Sequence, residues 1–116
     1  MSKSLHDNID VIESGYEFLL AYAAQGRESD DGPAGSEVRN VLNGMSDAAG
    51  TIATELDGND SGFAEVVVED ARKAGAAIVL VLAQDKISSE LVDNLNASIH
   101  LRALLTDLFL ISEAKF

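Results

Sequence analysis

The stretch from Ile87 to Phe116 constrains this chain more than any other, because it places apolar residues on two sides of one helical period. Leu91, Val92, Leu95, Ile99, Leu105 and Phe109 form a first seam. Ala97, Leu101, Leu104, Leu108 and Ile111 form a second, stepping by four and three residues as a coiled coil does. Read as one helix over 88–114, it starts at Ser88 as N-cap, with Ile87 and Val92 as a hydrophobic staple. A helix oily on two sides needs cover on both. A chain of 116 residues builds one core, which covers the first seam and leaves the second for a partner.

The first segment, 5–25, shows the same two-sidedness. Leu5, Ile9, Ile12, Tyr16, Leu19, Leu20 and Ala23 share one face, and Val11, Gly15, Phe18 and Tyr22 line up beside it. Ser4 is its expected N-cap, with Asp7 in the first turn, and Gly26 its C-terminal stop. Helices 1 and 4 are therefore the expected contact surface. Val11, Phe18, Tyr22, Leu101, Leu104, Leu108 and Ile111 are its candidate residues.

Between them, 36–56 is a clean amphipathic helix: Val38, Val41, Leu42, Met45, Ala48, Ala49, Ile52, Ala53 and Leu56 form one stripe, and Arg39 and Glu55 face away. Gly44 and Gly50 weaken it by about 1 kcal/mol each. The segment 61–84 keeps a helical period through Phe63, Val67, Ala71, Ala74, Ile78 and Val81. Its β-branched runs, Val66–Val68 and Ile78–Leu82, also suit buried strands. Helix is the reading adopted, since one or two short strands would find no further strand to pair with. The loop 26–35, rich in glycine and acid with the chain's one proline at Pro33, reads as mobile. The sum is an all-α single domain: an antiparallel, up-down four-helix bundle associating through helices 1 and 4.

Charge narrows the possible partners. The net charge of −12 repels nucleic acid and anionic membranes and draws basic surfaces. Direct nucleic-acid binding and membrane insertion are not expected, and the longest apolar run, 74–83, is too short to span a bilayer. Without cysteine there is no disulfide, thiolate metal site or thiol nucleophile. The start of the chain carries no basic stretch followed by an apolar core, so a cytoplasmic protein is the expectation.

Candidate chemistry is thin. His6, Asp10, Glu13 and Glu17 lie along the polar side of helix 1, where they read as a solvated face; bundle metal sites use carboxylates and Glu-x-x-His pairs directed into the core, and no Glu-x-x-His occurs. His100 shares an outer face with Asp93, Asn96 and Asp107. A phosphotransfer module needs a basic residue beside such a histidine, and Arg102 points instead toward the first seam, between Ile99 and Leu105. Arg102 is thus the candidate buried charge, either paired with an acid such as Glu13 or stretching its head to water. No serine sits in a nucleophile elbow, and only Tyr16, Tyr22 and Arg102 offer polar groups to a ligand pocket.

The expected function is non-enzymatic, with no cofactor and no metal. It is that of a small acidic regulator, chaperone or assembly partner working through protein contacts, as a homodimer or with another protein. The alternative is an acidic inhibitor that occupies the basic site of a nuclease or nucleic-acid-binding protein.

Overall fold

The computed structural model describes residues 3–33 and 35–114. Over them the chain is all-helical, with five helices and no strand. These are α1 (Lys3–Ala23), α2 (Ser36–Leu56), α3 (Gly62–Leu82), α4 (Ser89–Ala97) and α5 (Ile99–Glu113). α2 packs against both α1 and α3, α5 packs mainly on α3, and α4 mainly on α1. The molecule measures 45 × 21 × 19 Å.

The β-branched segment is a helix. Its Val67, Val68, Ile78 and Val81 are buried at helical spacing together with the small Ala64, Ala71 and Ala74. The α2 stripe is buried from Val38 to Leu56, with Val41 at its half-covered edge. Close approach of α1 to α2 depends on Gly15: a Cβ there would stand 2.5 Å from Met45 Cγ, so the methionine side chain lies where any other residue would intrude.

The ends of the elements differ from expectation in three places. α1 is already helical at Lys3, so Ser4 is inside the helix rather than its N-cap; the position before the helix lies outside the described residues. Leu20 is 48% exposed, whereas Tyr22 is 1% exposed and belongs to the core. The third difference is the largest. The segment 88–114 is not one helix but two, divided at Ser98.

Ser98 ends α4 and begins α5. Its N–H donates to Leu95 O at 3.0 Å, its backbone turns extended (φ −63, ψ 138), and its hydroxyl accepts from Leu101 N at 3.3 Å. This is an N-cap placed inside an unbroken apolar pattern. The extended residue resets the helical phase, so the seam through Leu91, Val92 and Leu95 does not continue to Ile99. Ile99 turns outward, and Leu101, Leu104, Leu108 and Ile111 turn into the core with Leu105. At the other end of α4, Ser88 is the N-cap, accepting from Leu91 N at 3.0 Å, and Ile87 and Val92 are fully buried beside it.

Candidate interaction surface and buried polar groups

The loop 26–35 is held down along its described residues. Tyr22, at the end of α1, donates its buried hydroxyl to Ile87 O at 2.6 Å. Ser89 hydroxyl donates to Tyr22 O at 2.7 Å and accepts from Arg27 N at 2.8 Å, while Ser89 N donates to Arg27 O at 2.8 Å. The Arg27 guanidinium stands 5.6 Å from the centre of the Tyr22 ring. Burial raises the Tyr22 phenol above its usual value, against the opposing pull of Arg27.

Asp30 and Arg39 make the second tie. Asp30 accepts from Arg39 Nε at 2.6 Å and from Ile87 N at 2.9 Å. The hydrogen bond from Arg39, foremost, holds its carboxyl below the ordinary range, with Ile87 N–H adding to the effect against desolvation. The same guanidinium donates to Leu82 O, Gln84 O and Asp85 O, at 3.1, 2.9 and 3.1 Å. A cation thus sits on the carbonyl end of α3, where the helix dipole is negative. Arg39, expected to face water, is the polar anchor of the loop.

Asp107 faces inward from α5, 6% exposed, with Oδ2 buried and without a hydrogen-bond partner. Desolvation and its contact with the Asp70 carboxyl of α3 raise its pKa to about 7. Two nearby carboxyls cannot both ionise cheaply, and burial makes Asp107 the one pushed toward its neutral form. Asn96, also expected on the outer face, is 5% exposed, and its Oδ1 and Nδ2 are buried without partners. These are the groups of the core that burial leaves polar.

The predicted contact surface divides. Tyr22, Leu101, Leu104, Leu108 and Ile111 are each 2% exposed or less inside this one chain, so they are not available to a partner. The reason is the phase reset at Ser98, together with the Tyr22 bond to Ile87. Of the residues expected at the contact, Val11 remains exposed, while Phe18 is half-buried, stacked on Tyr22 at 6.4 Å. Arg102 is exposed, and among the described residues its guanidinium has no ion pair, which removes it as a buried charge.

α5 is nonetheless two-sided, with its sides exchanged. Ile99 is 74% exposed, Phe109 and Leu110 each 52%. At about 100° per residue Ile99, Ala103, Thr106 and Leu110 fall on one line directly opposite the core. A shallow groove bounded by Ala97, Ile99, Arg102, Ala103 and Thr106 runs along it. Further exposed apolar residues, Val79 and Leu80, stand near the end of α3.

His6, Asp10 and Glu17 are exposed and Glu13 half-buried on α1, and among the described residues no three His, Cys, Asp or Glu side chains are grouped to hold a metal. His100 is exposed in the first turn of α5. No helix among the described residues is long and apolar enough to cross a membrane. Comparison with protein families, with curated proteins and with solved structures finds no match to the chain.

Proposed function

We propose that this is a small acidic helical protein that works through contacts with other proteins rather than by catalysis. The observation that carries the reading is α5. It buries one apolar side in the core and exposes another, Ile99, Phe109 and Leu110. Exposed apolar side chains lined up along one side of a helix, as Ile99 and Leu110 are, mark interaction sites. The scaffold we infer is a four-rod bundle running alternately up and down, with α4 and α5 together as the fourth rod. The packing order α1–α2–α3–α5, with α4 returning to α1, supports it. A cytoplasmic setting accords with a chain that has no cysteine.

The test compares the tagged wild type with an Ile99→Glu, Leu110→Glu variant as baits in an extract of the source cells. Both positions are exposed, so the variant keeps its helical circular dichroism. Proteins retained by the wild type, a second copy of the chain included, are lost from the variant. Identical captures on the two baits would reject the reading.

A second reading is an acidic inhibitor of a basic protein. It is favoured by Asp7, Asp10 and Glu17, which share the outer side of α1, are exposed, and have no ion pair among the described residues. That mode of binding weakens steeply with salt, whereas contact through α5 does not.

A further inference from the structure

We propose that the occupant of the outer side of α5 is a second copy of this chain, packed α5 against α5 in antiparallel fashion about a twofold axis. This rests on the contact reading above and names its partner.

Ile99, Ala103, Thr106 and Leu110 follow one another by four, three and four residues, the step pattern of a coiled-coil seam. The inner side of α5 uses a similar pattern to fill the core, so the outer seam is a separate set of residues. The seam is also self-complementary. A twofold axis between Ala103 and Thr106 sets Ile99 against the partner's Leu110 and Ala103 against the partner's Thr106. Large residues then meet at both ends and small ones at the centre, where the helix axes come closest. The groove of about 420 Å³ beside Ile99 receives a side chain from across the axis.

Charge selects among occupants. The molecule carries −12, yet α5 holds only two carboxylates: Asp107, turned inward against Asp70, and Glu113, exposed in its last turn beyond Leu110. Exposed charge from Ile99 to Leu110 is limited to Arg102, beside the exposed His100. A basic partner finds a single carboxylate on this helix's outer side, Glu113 at its end. A like-charged copy meets little repulsion along Ile99 to Leu110, where the exposed charge is Arg102. The seam spans about three helical turns, so the area covered falls at the small end of specific interfaces and the dimer exchanges readily.

Sedimentation velocity of the full chain across about 5 to 500 µM is the direct test. The expected result is a mass rising from 12.3 kDa toward twice that value. The association should strengthen several-fold as salt rises from about 0.05 to 0.5 M, since screening lowers repulsion between like-charged copies. Leu110→Glu abolishes the association with helicity unchanged, whereas Leu80→Glu, on the exposed side of α3, leaves it intact. Because the chain lacks cysteine, a mixture of Ile99→Cys and Leu110→Cys chains oxidises to a crosslinked pair of one of each, in preference to either like pair.

A monomer throughout the range overturns the second copy; so does a dimer lost with Leu80→Glu and kept with Leu110→Glu. If the monomer still captures a different protein that Ile99→Glu, Leu110→Glu releases, the contact reading stands and this partner alone is rejected. If it captures nothing that the variant lacks, both fall.

Discussion

Arg39 and Asp107 are the two side chains whose surroundings change most between sequence and structure. Arg39 lies off the apolar stripe of α2 and so reads as solvent-facing. Only folding brings the end of α3 and Asp30 to it, and a periodicity within one helix contains neither. Arg39→Met should destabilise the protein by about 2–3 kcal/mol at pH 7, by stranding Asp30 and uncapping α3. Asp30 has a lowered folded pKa, so its contribution is present above the unfolded value and is lost as pH falls through the folded one. The part of the Arg39→Met effect due to the pair therefore shrinks in acid, and chemical denaturation at pH 7 and pH 3 measures it. Asp107 has the opposite sign. Its folded pKa, raised to about 7, means the folded chain binds the extra proton between about pH 4 and 7. Stability from this group is greatest below about pH 4 and declines as pH climbs to 7. Asp70 is the one charge that bears on it, and His100 on the same helix is exposed. Asp107→Asn should raise stability by about 2 kcal/mol at pH 8, with much less effect at pH 4. A variant equally stabilised or destabilised at both values would show that burial does not hold Asp107 toward its neutral form.

At the level of elements, periodicity located every helical stretch but read α4 and α5 as a single helix. The stripes of α2 and α3 were legible because small and branched residues recur there without interruption. The α4–α5 division was not, since no glycine or proline announces it. Ser98 carries the signal, a cap of the same kind as the recognised Ser88, but apolar residues continue on both sides of it. Assuming one continuous helix put Leu101, Leu104 and Leu108 on a contact surface and Arg102 in the core. Ser98→Ala should cost about 1 kcal/mol. Amide exchange should accelerate in the first turn of α5, around Leu101 and Arg102, more than in the middle of α3. The break itself should persist, because straightening it would withdraw Leu101, Leu104 and Leu108 from the core. An exchange pattern unchanged around Leu101 would show that the hydroxyl is not what secures this turn.

Over the whole molecule, acidity is largely uncompensated. Among the described residues there are two ion pairs, and one of them, Arg72 with Asp57 at 3.8 Å, is well exposed on both sides. Raising salt from about 0.01 to 0.5 M should therefore raise the thermal midpoint by several degrees, since screening relieves more repulsion than it removes attraction. A fall would mean that ion pairing outweighs self-repulsion. The bonds from Tyr22 and Arg27 to Ile87 and Ser89 have a different reach, joining positions 62 to 67 residues apart. Contacts between consecutive helices close short loops, whereas these close more than half of the chain and bear a larger entropic cost before they return anything. They should therefore form last in time and part first. Tyr22→Phe should leave the refolding rate nearly unchanged and speed unfolding several-fold in a stopped-flow chevron. The lifetime of the folded molecule is set where its first helix meets its fourth.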